Sequence, residues 1–480
     1  MVFNSPVFLF LFLPLIGVLY VIVPKRSKNL LLLAASLLFC AWGDAYSLEV
    51  LILSILANYV FGLAIERTAV PRSRAFILAL ALGINIALLL FYKYSKFVII
   101  NLAGANMVDP AHFDFTGWRL PLGISFFTFA AIAYQVDIYR RKVPAERNLI
   151  DFGLFLSHFA KLVAGPIVRY SDMAGELKTR HPGYEQIADG VRRFVIGLGK
   201  KVLVANPAAV FADEAFKNPG AIDMPTAWLG ILCYTIQIYF DFSGYSDMAI
   251  GLGRIFGFRF LENFNYPYIS RSIQEFWRRW HISLSTWFRD YLYIPLGGNR
   301  VSNVRIYCNL VLVFLLCGFW HGASWNFIVW GGYHGVFLAA ERAGLAGVLL
   351  RLPKSLRHIY SLFVIMIGWV FFRADDLPAA LHYLRAMFSF SFGSFDYYSM
   401  TFLTRELVLV LIIGIVGSTP VGTLPARLYD WIGKRSAGDL SVFAHCTWSV
   451  LTMASIIFLF IASVMQIAIT TYTPFIYAKF

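Results

Sequence analysis

Two histidines in this sequence could carry chemistry, and His321 is the first. It follows Trp320 and precedes Gly322 at a point where a long apolar run is interrupted. Polar side chains, Ser324 and Asn326, come directly after it. Because imidazole titrates near neutral pH, His321 could take the proton of a hydroxyl nucleophile as a general base. The same position is typical of an interfacial histidine among aromatic belt residues, so position alone does not decide between the two interpretations.

The second histidine is His281, which lies in a segment, residues 275–300, that is dense in tryptophan and arginine. At about 100° per residue, the pattern predicts an amphipathic helix over residues 276–293 with His281 on its aromatic face. A helix of this kind lies along a membrane interface or lines a polar cavity. His281 therefore either lines such a cavity or packs among aromatic rings.

Two aspartates, Asp241 and Asp247, lie inside or beside another apolar run. A charge in a membrane segment is costly and is usually paired or functional. We expect structural ion pairs here, and the candidate partners are Arg254 and the arginines between positions 278 and 289.

The sequence predicts no metal site and no bound cofactor. His334 shares an apolar run with His321, but on a continuous helix the two would lie about 20 Å apart and on different faces. The five cysteines lie in apolar runs and form no CxxC pair, which is typical of buried packing residues. The sequence has no HExxH, GxSxG or Walker A motif.

The apolar run that contains His321 must bend. It covers residues 302–340 and would be about 58 Å long as one straight helix, whereas the hydrocarbon core of a bilayer is about 30 Å thick. The available helix breakers are Gly318, Gly322 and Ser324. Irregular backbone at membrane depth is tolerated only inside protein or beside a water-filled cavity. A buried bend would place His321 beside such a cavity, and the sequence leaves the depth of the bend open.

The composition predicts an all-α integral membrane protein with a single domain over residues 1–480. Hydrophobic residues make up 59% of the chain, charged residues make up 14%, and the mean hydropathy is +0.66. Soluble domains carry about 25% charged residues, so an ordinary soluble enzyme is excluded. Apolar runs of bilayer length predict roughly eleven membrane spans. Twelve runs are candidates, and some are short enough to be re-entrant: 7–23, 30–43, 48–65, 75–92, 119–138, 149–168, 226–250, 304–320, 323–341, 356–372, 404–418 and 444–470.

The net charge of +14 does not indicate a nucleic-acid partner, because the basic residues lie in short loops and form no soluble basic domain. The loops at 24–29, 66–74 and 139–148 carry lysines and arginines, whereas those at 43–47 and 101–118 carry none. By the positive-inside rule, the basic loops lie in the cytoplasm and the N-terminus lies outside it.

Three long strings resemble the membrane-bound O-acyltransferase family, and within it the bacterial branch that takes part in alginate O-acetylation. They are DFSGYSDMAIGLGRIFGF, ENFNYPYISRSIQEFWRRWHISLSTWFRDYLYIPLGGNR and FWHGASWNFIVWGGYHG, and the last two contain His281 and His321. The resemblance implies a ring of transmembrane helices around a central core with re-entrant or amphipathic helices. It also implies a thinned membrane at that core and a tunnel from the cytoplasmic side.

The same resemblance implies an activity. His321 would be the catalytic histidine, and His281 would support the donor end of the tunnel. A cytoplasmic thioester such as acetyl-CoA would donate an acetyl group, which would cross the bacterial inner membrane to exported periplasmic or membrane-anchored acetyltransferases that modify a polysaccharide. The side chains expected to line the tunnel or bind the donor are Trp277, Arg278, Trp280, Arg289, Trp320, Ser324, Asn326, Asp241 and Asp247.

Several alternatives stay open at this point. Alginate, bacterial cellulose and peptidoglycan are acetylated by systems with similar membrane subunits, and D-alanyl transfer to teichoic acid uses a related transferase. A transporter or channel is the alternative of another class, although transporters often show paired broken helices and this chain has one clear break. A scaffold that only recruits soluble transferases is a further alternative.

Overall fold

The computed structural model describes residues 2–109, 112–113, 119–393, 401–424 and 439–470, and within these ranges the regular elements are all helical. Part of the predicted loop at 101–118 therefore lies outside the described residues. The helices up to the middle of the chain are α1 (Leu13–Ile22), α2 (Lys28–Gly43), α3 (Ala45–Arg67), α4 (Pro71–Gly104), α5 (Ile124–Tyr139), α6 (Leu149–Ser157), α7 (Phe159–Leu162), α8 (Tyr170–Lys178), α9 (Tyr184–Gly199), α10 (Asn206–Lys217) and α11 (Met224–Ile255). Those that follow are α12 (Ile273–Arg279), α13 (Ile282–Phe288), α14 (Asn303–His321), α15 (Trp325–Ala340), α16 (Ala346–Arg351), α17 (Lys354–Arg373), α18 (Leu377–Met387), α19 (Arg405–Gly417) and α20 (Asp439–Ile469).

Six helical segments among the described residues are long and apolar enough to cross a membrane. They are Ala45–Arg67, Pro71–Gly104, Tyr184–Lys217, Asn303–His321, Lys354–Arg373 and Thr447–Ile469. Shorter apolar segments occur at Phe8–Ile22 and Ile124–Tyr139. The predicted membrane character is therefore confirmed, while the count of roughly eleven spans stays a prediction.

One predicted span, residues 149–168, is not a continuous helix. Helix α6 ends at Ser157, and the short α7 begins after His158, whose ring nitrogen accepts a hydrogen bond from the Ala160 amide. The chain then turns tightly at Gly165, where a Cβ atom would lie 2.5 Å from the Cα atom of Lys161. The continuous apolar pattern predicts one helix, but the cap at His158 and the tight turn at Gly165 divide the segment.

Helix α11 forms the centre of the fold. Most of its side chains are buried, including polar ones such as Gln237 and Ser246. Helix α9 packs against it with backbone contact, since a Cβ atom on Gly197 would lie 2.5 Å from the carbonyl oxygen of Gly244. Small residues allow this close approach of helices in a membrane. By contrast, α4 is mostly exposed, as expected for a helix that faces lipid. Only 11% of the residues in its most apolar stretch are buried.

Helices α14 and α15 form an antiparallel hairpin, so the long apolar run bends as its length requires. Helix α14 ends at His321, Gly322 is extended, and α15 begins after the extended Ser324. A Cβ atom on Gly318 would lie 2.2 Å from the carbonyl oxygen of Phe327, which places the two backbones in contact. His321, Gly322 and Asn326 at the bend are buried, whereas Trp325, the first residue of α15, is exposed.

The predicted continuous helix over residues 276–293 is wrong. Helix α12 ends at Arg279, His281 takes a left-handed conformation with φ 43°, and α13 begins at Ile282. The break is stabilised from outside the segment, because the Ile282 amide donates to the carbonyl oxygen of Asn263 at 2.9 Å. A tertiary contact thus interrupts a pattern that would support a single helix, and His281 lies at the break rather than on a helix face.

Candidate active site

The side chain of Asn263 holds His281 in place. Its Oδ1 atom accepts hydrogen bonds from the Ser283 amide at 3.2 Å and from the Ser283 hydroxyl at 2.9 Å, and it lies 3.1 Å from Nδ1 of His281. Its Nδ2 atom donates to the Ser246 hydroxyl on α11 at 3.2 Å. All four side chains are buried. The network therefore ties the break between α12 and α13 to the central helix.

This network also defines the tautomer of His281. A backbone amide can only donate, so the Asn263 atom that faces the Ser283 amide must be the carbonyl oxygen. His281 therefore donates through its Nδ1–H, which leaves Nε2 as a hydrogen-bond acceptor. Nε2 is buried and has no hydrogen-bond partner within the described part of the chain. The network thus fixes the His281 ring so that its accepting nitrogen, Nε2, points away from Asn263.

The backbone at His281 is strained. Its φ of 43° lies in the left-handed region, which residues other than glycine adopt at a cost of about 1–3 kcal/mol. Such conformations persist where the surrounding structure fixes them, and they concentrate at functional sites. Together with the Asn263 network, the conformation favours a functional role for His281 over plain aromatic packing.

His321 lies at the C-terminal end of α14 inside a cluster of aromatic rings. The centroid of its ring is 4.8 Å from that of Trp320, 5.1 Å from that of Trp330 and 5.1 Å from that of Phe372. Trp320 also contacts the ring of His281, at a centroid distance of 6.5 Å. The structure therefore brings the two predicted catalytic histidines to one indole ring.

Several buried ring nitrogens around His321 have no hydrogen-bond partner among the described residues. They are Nε1 of Trp277, Trp320 and Trp330, Nε2 of His281, and both ring nitrogens of His334. An unsatisfied buried polar group costs about 1–3 kcal/mol, so a group of them requires an explanation. The cluster therefore contains buried hydrogen-bond donors and acceptors that the described side chains do not satisfy.

The sharp bend also brings His334 close to His321, contrary to the separation expected on a continuous helix. Both histidines contact Trp330, with centroid distances of 5.1 Å for His321 and 5.3 Å for His334. Trp277 lies 5.2 Å from His334 and 5.7 Å from Trp330, so the cluster extends to α12. Within the described ranges, no three His, Cys, Asp or Glu side chains are grouped as metal ligands would be.

Two other predicted tunnel residues, Trp280 and Asn326, make their contacts away from the ring of His321. Trp280 is buried but packs away from His321, against Phe264 and Trp369 at 5.1 and 4.9 Å. Asn326 ties the start of α15 to the end of α17, because its Nδ2 donates to the carbonyl oxygens of Phe371 and Ala374 at 3.1 and 2.7 Å. Asn326 therefore acts in packing.

Ser324 and the two predicted arginines also lie apart from the aromatic cluster. The Ser324 hydroxyl hydrogen-bonds to the side chain of Asn326. Arg278 is exposed, and Arg289 is exposed and pairs with Asp290 at 2.7 Å. Burial alone would raise the pKa of the Asp290 carboxyl, but hydrogen bonds from Arg289 and Arg169 outweigh it and hold that pKa below its ordinary value. Arg289 thus pairs with a carboxylate near the protein surface and does not face the aromatic cluster.

Asp241 and Asp247 form ion pairs, but with other partners than the sequence indicated. Asp241 lies 2.5 Å from Nζ of Lys201. Asp247 lies 2.6 Å from Arg193 and 2.7 Å from Lys200. These cations come from α9 and the π-helical turn after it, which pack along α11. The predicted partners Arg254 and the arginines at 278–289 were wrong, because proximity in sequence does not reveal which helix packs against α11.

Sequence reasoning did not identify two further residues of the site, Asn263 and Lys93. Asn263 lies in a loop, 18 residues before His281, and carries no motif of its own. Lys93 lies on α4, and its ammonium group donates to the carbonyl oxygen of Trp320. A lysine directly after a long apolar run was a detectable signal, because charges in membrane helices are rare.

Comparison with known proteins identifies the family. A sequence model of the membrane-bound O-acyltransferase family matches residues 143–374, a range that contains both His281 and His321. A protein of Azotobacter vinelandii named "Probable alginate O-acetylase AlgI" is 42% identical over 505 aligned positions that cover 100% of both chains. The peptidoglycan O-acetyltransferase of Helicobacter pylori is 41% identical over 81% of this chain and 80% of its own. The teichoic acid D-alanyltransferase of Streptococcus thermophilus is 30% identical over 53% of this chain and 64% of its own. The aromatic and histidine-rich site thus lies in a chain that belongs to the membrane-bound O-acyltransferase family.

Proposed function

We propose that this protein transfers an acetyl group from a cytoplasmic thioester, acetyl-CoA, towards the hydroxyl groups of an exported polysaccharide, and that this polysaccharide is alginate. The observation that carries the proposal is the buried position of His321 at the end of α14, next to an indole ring that also contacts His281. The similarity over 100% of both chains to a protein named as an alginate O-acetylase supports the choice of polymer.

In the proposed reaction, His321 acts as the general base. Its imidazole takes the proton of the acceptor hydroxyl while the hydroxyl oxygen attacks the thioester carbonyl carbon. The carbon–sulfur bond then breaks, and the departing thiolate takes the proton from the imidazolium. The products are an acetyl ester and a free thiol, with no net change in protons. A thioester is already activated, so the transfer requires no further cofactor.

His281 supports the donor end in this proposal. Its Nδ1–H is held by Asn263, and its Nε2 can accept a proton or a hydrogen bond from the donor. The indole nitrogens of Trp277, Trp320 and Trp330 have no hydrogen-bond partner among the described residues. They can donate hydrogen bonds to the carbonyl groups of the donor or acceptor. The site then offers both a base and donors inside a buried cluster.

The proposed location is the bacterial inner membrane, with the N-terminus outside the cytoplasm and roughly eleven spans in a ring around a tunnel. The alternation of basic and neutral loops in the first 148 residues supports this orientation. Exported periplasmic or membrane-anchored acetyltransferases would receive the acetyl group and complete its transfer to the polymer.

Peptidoglycan is the second candidate acceptor, because the Helicobacter pylori peptidoglycan O-acetyltransferase is 41% identical over 81% of this chain. D-alanyl transfer to teichoic acid ranks behind both, since that similarity covers 53% of the chain. Mild base releases acetate from the first two polymers and D-alanine from the third, and fractionation of the polymers before treatment separates alginate from peptidoglycan.

The test is the variant His321→Ala in cells whose own copy of the gene is deleted. We expect base-released acetate in the exported polysaccharide to disappear, while the amount of the protein in the membrane stays unchanged. The matched control is His382→Ala, because this histidine is exposed on α18. Normal acetylation in H321A would rule out His321 as the base and would leave a scaffold role as the better explanation.

A further inference from the structure

Lys93 is a charged side chain on a helix whose other side faces lipid. Helix α4 is long and apolar enough to cross a membrane. Charged side chains in such helices usually pair with each other or with backbone carbonyls, or mark functional sites. Lys93 turns inward, where its ammonium group donates to the carbonyl oxygen of Trp320 and lies 5.5 Å from the centroid of the Trp320 ring.

The neighbours of Lys93 on α4 contact the same bend. The Tyr94 hydroxyl donates to the carbonyl oxygen of Phe319 at 2.6 Å, and the two rings stack at 4.0 Å. Two turns further along α4, Asn101 accepts a hydrogen bond at 3.0 Å from Nε1 of Trp325, the first residue of α15. One face of α4 therefore contacts both sides of the bend that contains His321.

These contacts satisfy backbone groups that a helix end leaves open. The last four carbonyl groups of a helix have no intrahelical amide partner. In α14, the carbonyl oxygens of Phe319 and Trp320 accept hydrogen bonds from Tyr94 and Lys93 instead. A cation at this end also interacts favourably with the helix dipole. Helix α4 thus supplies the C-terminal cap of α14 and fixes the residue at which that helix ends.

We propose that Lys93 is a positioning residue for His321, because it holds the end of α14 and thereby sets the direction of the His321 imidazole. The inference rests on the proposed function, in which His321 is the catalytic base. Lys93 itself contacts the carbonyl group and ring of Trp320, so it acts through the backbone next to His321. In the sequence, the one sign of this role is the charge of Lys93 directly after a long apolar run.

The experiment measures thiol release from acetyl-CoA by purified full-length protein in detergent, with alginate oligosaccharides supplied as the hydroxyl acceptor. Lys93→Met removes the donor and the charge while it keeps the length of the side chain. We expect kcat to fall about 10- to 100-fold, as for a catalytic group displaced by about 1 Å, with little change in KM for acetyl-CoA. Lys93→Arg keeps a cationic donor and should restore most of the rate. The matched control is Lys96→Met, an exposed lysine one turn further along α4, which should behave as the wild type.

The outcomes separate this inference from the proposed function. Thiol release by the wild type that is absent in H321A but normal in K93M would overturn the positioning role alone. Equal losses in K93M and K96M, or no recovery in K93R, would also overturn it. No difference between the wild type and H321A would overturn the proposed function. If K93M does not yield monodisperse protein, Tyr94→Phe tests the same cap, because it removes the hydrogen bond to the Phe319 carbonyl group. We expect a lower kcat with unchanged KM, and a wild-type kcat would overturn the inference.

Discussion

At the scale of single residues, the site depends on how each imidazole is held. His281 donates its Nδ1–H to Asn263, and Asn263 is itself fixed by Ser283 and Ser246. Such partners behind a reacting side chain set its tautomer and direction. His281 and Asn263 therefore form a functional unit, although they come from separate segments.

Replacement of Asn263 by alanine should impair transfer. The Asn263→Ala variant leaves His281 without the acceptor that selects its tautomer, so Nε2 is protonated in part of the molecules. We expect the rate of thiol release from acetyl-CoA to fall about 10- to 100-fold, because a catalytic group misplaced by about 1 Å can cost about 100-fold in rate. The measurement is the rate per folded molecule, after size-exclusion chromatography.

The matched control for that change is Asn265→Ala, two residues along the same loop. Asn265 is exposed, and its two described hydrogen bonds to Arg279 use the backbone amide and carbonyl group of Asn265, which alanine retains. This variant should keep the wild-type rate. A wild-type rate in N263A would show that His281 does not need a fixed tautomer and would count against a role at the donor end.

His281 and His321 were identifiable from the sequence, because rare polar residues in an apolar context are visible without a structure. Asn263 was not, since it contacts His281 only after the loop before α12 folds back onto residues 279–282. A pattern reports which face a residue occupies on a regular helix. The pattern does not predict tertiary contacts that break the helix. The left-handed conformation of His281 lies at a break of this kind.

At the scale of elements, the α14–α15 hairpin determines where His321 lies. Its two helices touch through glycines, and a Cβ atom on Gly331 would lie 2.2 Å from the carbonyl oxygen of Phe314. The length of the apolar run predicted a bend, and this was correct. The packing of α14 against α15 could not be predicted in the same way, because a glycine in a membrane segment can mark either a break or a close contact between helices.

The contact makes a specific prediction for Gly331→Ala. The added methyl group has no space, so α14 and α15 must separate, which costs about 1–3 kcal/mol as for other overpacked cores. We expect a lower melting temperature of the purified protein in detergent. The rate of thiol release should fall about tenfold or more, because His321 moves with the end of α14.

Gly83→Ala is the control for that prediction. Gly83 lies in α4, and a Cβ atom there would meet no atom within 4 Å. The substitution adds the same methyl group to a membrane helix and should leave both stability and rate unchanged. If G331A behaved like G83A, the two helices would have room to separate freely, and the hairpin would not set the position of His321.

At the scale of the whole molecule, the orientation of the chain determines which side of the membrane lies nearer to His321. Lys93 marks the level of the bend on α4, because it contacts the carbonyl group before His321. Lys93 lies about 33 Å along the helix from Pro71 and about 16 Å from Gly104, at 1.5 Å per residue. If residues 66–74 lie in the cytoplasm, His321 therefore lies in the outer half of the membrane. The acetyl thioester of a cytoplasmic donor would then have to extend most of the way across the membrane to meet the base.

Labelling of single cysteines tests this orientation. In a variant without the five native cysteines, Asn106→Cys introduces a thiol in the exposed segment after α4, and Arg141→Cys introduces one in the basic loop after α5. A membrane-impermeant maleimide should label N106C in intact spheroplasts, whereas R141C should react only after lysis, because the positive-inside rule places its loop in the cytoplasm. The control for membrane integrity is a cytoplasmic thiol protein that stays unlabelled until lysis. The reverse pattern would place His321 in the cytoplasmic half, where the base could meet a soluble thioester without a long tunnel, and the proposed passage of the acetyl group across the membrane would then lose its structural support.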